Sequence, residues 1–354
     1  MKFWEWGLVH VFKVNKSQRM LLVILAVTLC IDAVLWWPAT PENAADKESV
    51  VLNRIVIPES MAITQPLPLN LKFDAKKVAL GRALFDEKML SANDTIACSN
   101  CHVLQAGGAD NLVHSIGING AQGSINAPTV LNSGFNFVQF WDGRAASLED
   151  QIDGPVQHPK EMGSTWQQVL DKLNRSERYK AAFSEIYSDK ITIVNIKDAI
   201  AIFERSLITS NSRFDRYLRG EESALSAKEK HGYVLFQDHG CASCHQGINL
   251  GGNMYERMGL LGDYFGERGD LTEADYGRFN VTKKESDRFY FRVPGLRNVA
   301  KTAPYFHDGN TPDLHNAVRI MARYQLGRLI DEKDVDDIVA FLITLNGELQ
   351  GPAL

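Results

Sequence analysis

Apolar residues recur at helical spacing through most of the chain. Trp166, Val169, Leu170 and Leu173 fall on one stripe, and Ala199, Ile200, Ile202, Phe203 and Leu207 on another. A third runs from Asp331 to Leu345 through Val335, Ile338, Val339 and Leu342, and Asn346-Gly347 after it is a helix stop. Two-residue alternation is nearly absent. The pattern therefore predicts a mostly α architecture with long loops, and each stripe reads as core packing before any cofactor contact. The Gly-rich run from Gly107 to Gly123 is one such loop.

The N-terminal pattern differs. Met20 to Trp37 is nearly all apolar and follows Lys13, Lys16 and Arg19, the order expected of a transmembrane helix whose N-terminus stays in the cytosol. Trp36 and Trp37 suit the outer interface. Asp32 costs roughly 3 kcal/mol at a helix centre, less near the headgroups. A cleaved signal peptide is the alternative; its nearest small-residue site, near Ala44 and Ala45, lies beyond a proline-containing stretch, and the apolar run is long for such a peptide. An uncleaved anchor is the preferred reading. Cys30 follows Val27-Thr-Leu29, a poor lipoprotein cleavage site, and reads as a buried membrane thiol. The chain divides into a basic cytoplasmic segment (1–19), an anchor or signal (20–37) and a Pro- and Ala-rich linker (38–69) before the folded part.

Composition narrows the class. The 354 residues are 45% hydrophobic and 23% charged, enough for a sizeable core and for about two domains. A net charge of −5 without basic runs argues against nucleic acid as a partner.

The strongest chemistry is Cys98-Ser-Asn-Cys101-His102, repeated as Cys241-Ala-Ser-Cys244-His245. Two thiols around two residues, followed at once by histidine, form the attachment signature of a c-type haem. Each thiol makes a thioether to one vinyl group, and the adjacent imidazole reaches the iron. A single copy is compatible with a redox pair or half a zinc site; two copies, accounting for four of five cysteines, point to two covalently bound haems. Leu80-Gly-Arg-Ala-Leu-Phe85 precedes the first motif and His231-Gly-Tyr-Val-Leu-Phe236 the second, a weak internal repeat. We therefore expect two haem domains, 70–220 and 221–354. His102 and His245 are the proximal ligands by motif. Distal candidates are His114, His158, His239, His307, His315, Met162, Met254, Met258 and Met321, and spacing does not choose among them. Covalent haem attachment is extracytoplasmic in bacteria, which agrees with the N-terminal segment and points to the periplasm.

Further segments resemble a known family in order from about residue 70 to 346. Asn126-Ala-Pro-Thr-Val-Leu-Asn132, Gln139-Phe-Trp-Asp-Gly-Arg144 and Gly154-Pro-Val-Gln-His-Pro-Lys-Glu161-Met162-Gly163 are similar to the bacterial dihaem cytochrome c peroxidases, a family that also holds the MauG-type enzymes. Phe203-Glu-Arg-Ser-Leu, Phe214-Asp-Arg-Tyr-Leu-Arg-Gly220, Val293-Pro-Gly-Leu-Arg-Asn298, Thr302-Ala-Pro-Tyr-Phe-His-Asp-Gly309 and Met321-Ala-Arg-Tyr-Gln-Leu326 continue the likeness.

The resemblance implies roles. The haem at His102 is the peroxidatic one; the haem at His245, with Met321 as distal ligand and Met258 as fallback, collects electrons. A His/Met pair raises the reduction potential, which suits that task. Glu161 matches the catalytic acid–base and Gln151 the glutamine beside it, because O–O cleavage needs a proton moved from one oxygen to the other. Trp141 matches a tryptophan between the haems, an electron relay or plain aromatic packing. Asn126, Thr302 and Pro304 match positions that bind a calcium ion, whose preference is for oxygen ligands. One departure stands out. Many members carry a distal histidine in a Ser-x-Gly-His-Gly loop, where this chain reads Ser115-Ile-Gly-Ile118-Asn. Isoleucine cannot bind iron, so a peroxidatic haem open without reductive activation is expected, unless His114 swings in.

The implied function is reduction of hydrogen peroxide to water with electrons from a small periplasmic cytochrome c or copper protein, at the periplasmic side of the inner membrane, with a homodimer expected by resemblance. A soluble periplasmic protein follows if the leader is cleaved. The alternatives are a MauG-like oxidase acting on a protein side chain, which Met321 in place of a tyrosine disfavours, and a non-catalytic membrane-tethered dihaem electron-transfer protein. A quinol-driven relative is expected to bring a further haem motif, which this sequence lacks.

Overall fold

The computed structural model describes residues 63–349, which fall within one compact unit running from Val51 to Leu354. Met20 to Trp37 and Cys30 lie outside the described residues. Within them, no helix is long and apolar enough to cross a membrane.

The fold is mostly helical, and local sequence explains where helices start. In α1 (Ala75–Phe85), the Asp74 carboxylate accepts from the N–H groups of Lys76 and Lys77 at 2.9 and 3.2 Å. Helix α2 (Leu148–Gln157) starts at Ser147, and α3 (Trp166–Arg175) at a Thr165/Gln168 capping box. Helices α4 (Glu177–Ile186) and α5 (Ile193–Ser206) start at Ser176 and Thr192. In the C-terminal half, α6 (Arg213–Leu218) and α7 (Ala227–Asp238) each open on a capping box, Ser212/Asp215 and Ser226/Glu229. Helix α8 (Leu314–Ile320) runs on into a π-helical turn, Met321–Gln325, and α9 (Glu332–Ile343) closes the chain. The three apolar stripes fall on α3, α5 and α9. The only sheet among the described residues pairs β1 (Tyr255–Arg257) antiparallel with β2 (Tyr290–Arg292), Tyr255 opposite Arg292.

Packing forms two main cores. Val78, Leu84 and Phe85 of α1, Ile152 and Val156 of α2, Val169 and Leu173 of α3 and Ile200 and Phe203 of α5 are buried together. Phe214, Phe236, Phe341, Leu342 and Leu345 form the second, with the Phe341 ring 5.0 Å from Phe214 and 5.3 Å from Phe236. Each core contains one close helix crossing, α1 on α5 and α7 on α9. The two glycines of the weak repeat sit at those crossings. A Cβ on Gly81 would lie 1.9 Å from the Ala199 carbonyl oxygen, and one on Gly232 would lie 1.8 Å from that of Asp337. Neither crossing leaves room for a side chain.

A smaller cluster of Leu67, Phe135, Ile208 and Ile248 joins residues from both halves. There the buried ion pair Arg297–Asp215, at 2.7 Å, also receives the Leu67 N–H at 2.9 Å and donates to the Gln65 carbonyl at 2.8 Å. Thr64 and Leu67 are thus packed into the fold.

Candidate functional site

The first Cys-x-x-Cys-His forms a helical turn, Cys98–Cys101, that opens where the Ala97 N–H donates to Asn100 Oδ1 at 2.8 Å. The His102 N–H closes it on the Cys98 carbonyl at 2.9 Å. His102 Nδ1 faces the Gly108 carbonyl at 3.2 Å, an orientation that reserves Nε2 for a metal. Gly108 presents that carbonyl from a left-handed conformation, φ 77°, in the glycine-rich loop. Phe85 of α1 lies 6.4 Å from the His102 ring and packs edge-on against Phe203 of α5 at 5.2 Å. The crossing of α1 and α5 thus supplies an apolar wall.

The second motif repeats the device. The His245 N–H donates to the Cys241 carbonyl at 3.0 Å, and Nδ1 faces the Leu250 carbonyl at 3.2 Å. A cavity of about 240 Å³ opens here, and Cys241, Cys244, His245, Met258, Arg292 and Met321 all line it. Burial pulls both histidines below their ordinary pKa, so each imidazole is a neutral ligand at physiological pH.

The thiols separate the readings of Cys-x-x-Cys. Burial pushes Cys101 and Cys241 up to about 11, and Cys98 further. A redox dithiol works through a depressed thiol pKa, and a zinc site needs thiolates. Buried, protonated thiols beside a neutral histidine that offers Nε2 fit covalent haem, and the residues at both motifs match that donor set.

Glu161 sits in the turn after α2. The Ile118 N–H donates to the Glu161 carbonyl at 2.8 Å, and the Glu161 N–H to the His158 carbonyl at 3.0 Å. Ile118 is buried, its Cδ1 and Cγ2 3.3 Å from where a Cβ of Gly163 would stand. His158 Nδ1 is 3.5 Å from Glu161 Oε1. Burial raises the Glu161 carboxyl pKa, and His158 and Arg144 oppose the rise. Glu161 in turn raises the pKa of the Cys101 thiol, a smaller effect than burial. Gln151 is half-buried on α2.

Trp141, Asn126, Thr302 and Pro304 all reach the second cavity. Trp141 Nε1 donates to the Asn126 carbonyl at 3.0 Å, and the Asn126 N–H to the His307 carbonyl at 2.8 Å. Asn126 Nδ2 donates to the Leu112 carbonyl at 2.8 Å, which leaves Oδ1 as an acceptor. Oxygen atoms are the ligands a hard cation takes, and Asn126 Oδ1 is one acceptor of that kind on this wall.

The remaining distal candidates disperse. Met162 is buried in the first core. His315 pairs with Asp336 at 3.3 Å on the surface, and His239, on the cavity wall, with Asp334 at 3.3 Å. His307 is buried against Asp275 at 2.7 Å, its ring stacked 4.4 Å from Phe291. Met258 and Met321 both line the cavity, so its walls offer two thioethers.

Two features received no role from the sequence in the form the structure gives them. Asp275, His307 and Asp308 cluster tightly enough to hold a metal ion, yet Arg268 bridges them, bonding Asp275 at 2.8 and 2.7 Å and Asp308 at 2.5 Å. With a cation already between the carboxylates, this is an ion-pair network. Glu204 on α5 is buried, with Oε2 unpartnered; its carboxyl is pushed up to about 8, chiefly by burial, and it adds to the rise of the Cys98 thiol.

Residues 75–223 match the family described as di-haem cytochrome c peroxidase. The chain is 54% identical over 284 residues to "Cytochrome c peroxidase Ccp" of Escherichia coli strain K12, an alignment covering 80% of this chain and 61% of that protein, so it spans about three-fifths of that relative. It is 44% identical over 286 residues to "Cytochrome c551 peroxidase" of Nitrosomonas europaea, covering 80% of this chain and 84% of that one. "Methylamine utilization protein MauG" of Methylorubrum extorquens is more distant, 30% identical with 91% of each chain covered. Among solved structures, a MauG-like protein associated with microbial copper homeostasis superposes with a TM-score of 0.69 at 29% identity, covering 82% of this chain and 95% of that one.

Proposed function

This chain belongs to the di-haem cytochrome c peroxidase family, and from that membership and the geometry above we propose that it reduces hydrogen peroxide to water with electrons from a small cytochrome c or copper protein. The observation that carries the reading is Glu161, a carboxyl of raised pKa whose turn is bonded through backbone to Ile118 in the loop that follows the first haem motif.

The haems supply the redox chemistry and the iron on which peroxide binds. Cys98, Cys101, Cys241 and Cys244 would attach them, and His102 and His245, with Nδ1 held by backbone carbonyls, would offer Nε2 to the iron. Met321, at the start of the π-helical turn, would offer its thioether to the second haem from the cavity wall. Glu161 takes a proton from the near oxygen of the peroxide and returns it to the leaving oxygen, which departs as water. Gln151 acts beside it. Trp141, on the wall of the second cavity, lies on the electron route between the haems. Ile118 packs under the Glu161–Gly163 turn and carries no ligand atom, so this position would leave the first haem open without prior reduction.

Asn126, Thr302 and Pro304 would hold a calcium ion, which would keep the two haem domains, 70–220 and 221–354, in register. Met20 to Trp37 anchors the protein at the periplasmic side of the inner membrane, and two copies form a dimer; membrane fractionation and light scattering test these two points.

The function is tested by oxidation of ferrocytochrome c with hydrogen peroxide, comparing the dihaem protein with Glu161→Gln and omitting pre-reduction. Fast turnover that the variant loses is the expected result. Turnover only after pre-reduction keeps the peroxidase and removes the open-haem claim. No turnover in either condition moves the reading to an electron relay or a MauG-like oxidase.

A further inference from the structure

The second cavity carries a positive charge that no carboxylate among the described residues answers. Arg292 ends β2 and is 4% exposed. Its backbone N–H donates to the Trp141 carbonyl at 2.8 Å and its Nε–H to the Phe140 carbonyl at 3.1 Å. These two bonds hold the stem against the Phe140–Trp141 segment while the side chain lines the cavity. Among the described residues Arg292 forms no salt bridge. Arg297, equally buried and on the same wall, meets Asp215 at 2.7 Å. Glu256, the one carboxylate lining the cavity, instead accepts the Arg257 N–H at 2.7 Å. Opposite Arg292 in the sheet stands Tyr255, whose hydroxyl is engaged by Arg278 at 2.5 Å.

A buried guanidinium without an anion is among the least favourable arrangements a fold can hold, and proteins keep one where a ligand completes it. The planar fork of arginine matches a carboxylate. Burial drags the Arg292 pKa down to about 10, which an anion in the cavity would reverse.

We propose that Arg292 binds a propionate carboxylate of the haem held at Cys241, Cys244 and His245, and that this pairing helps to keep the reduction potential of that haem high. The inference rests on the reading that the second motif carries haem. The direction follows from charge: a fixed cation beside the haem, or a neutralised propionate, disfavours the more positive ferric state. Arg292 also donates to the carbonyls of Phe140 and Trp141, so the same residue joins the cofactor to the proposed electron route.

The test uses the full chain with Arg292→Gln and Arg292→Lys. Mass and absorption first establish whether the wild type carries two haems; a single attached haem sinks the underlying reading and this one with it. With two haems present, potentiometric titration and the propionate bending bands in resonance Raman are compared. Arg292→Gln is expected to lower the potential of the second haem, leave the first unchanged and shift a propionate band. Arg292→Lys retains the charge but not the fork, and is expected to shift the band while restoring most of the potential. Wild-type potential and bands in Arg292→Gln overturn the proposal. Should that variant fail to accumulate, wild-type bands in Arg292→Lys overturn it equally.

Discussion

The Ile118 N–H donates to the Glu161 carbonyl at 2.8 Å, so the loop after the first haem motif and the turn that carries the carboxyl are joined through backbone. Gly117 makes the approach possible. A Cβ there would stand 2.0 Å from the Lys160 carbonyl oxygen and 2.8 Å from Glu161 Cα. The position of Glu161 is therefore set by a residue with no side chain, 44 positions earlier in the chain.

Gly117→Ala is expected to displace Glu161 while leaving both haems attached. Misplacing a catalytic group by about 1 Å can lower the rate about 100-fold. Steady-state turnover with the two-haem absorption spectrum intact is the readout; wild-type turnover in this variant contradicts the coupling.

Glu161→Gln is expected to slow peroxide reduction by about 10²–10⁴-fold, the usual worth of a general acid–base. The pH dependence carries a sign. Burial raises the Glu161 pKa, so the carboxylate proposed to accept the peroxide proton is lost as pH falls through a value above the ordinary glutamate range. A pH profile of kcat/KM for peroxide is expected to show that acid limb in the wild type and lack it in the variant.

Asp275→Asn removes the carboxylate that meets both Arg268 and His307 and is expected to destabilise the fold by about 3–5 kcal/mol, as loss of one partner of a buried pair does. Hydrogen bonds from His307 and Arg268 hold the Asp275 carboxyl well below the usual range. A depressed carboxyl stabilises the fold above its unfolded pKa of about 3.9 and loses that contribution as pH falls below it. Denaturant midpoints are thus expected to differ between wild type and variant at neutral pH and to converge in acid.

Gly232→Ala puts a methyl 1.8 Å from the Asp337 carbonyl oxygen, where α7 crosses α9, and the clash is with backbone that cannot rotate away. A loss of about 1–3 kcal/mol is expected, as for overpacked cores. Thermal unfolding of the dihaem protein measures it, and an unchanged midpoint means the helices separate at little cost.

Met321→Leu is expected to abolish the methionine–iron charge-transfer band of the second haem, and Met258→Leu to leave it. The reverse outcome assigns the ligand to Met258, since both thioethers line the cavity.

Some of this was readable from residues in order. Haem attachment depends on five contiguous positions, so Cys98–His102 and Cys241–His245 declared themselves. The helical stripes rest on a period of 3.6, which the chain carries locally, and they fall on α3, α5 and α9. The paired Gly81 and Gly232 were visible as a repeat, but only the helix crossings gave them a reason. The strands of three residues were too short to show alternation. Two thioethers on one cavity wall, Arg268 between Asp275 and Asp308, and Arg292 held by the Phe140 and Trp141 carbonyls belong to the tertiary structure alone. Each joins residues far apart in the chain, and a charge buried by packing leaves no periodic trace in the order of residues.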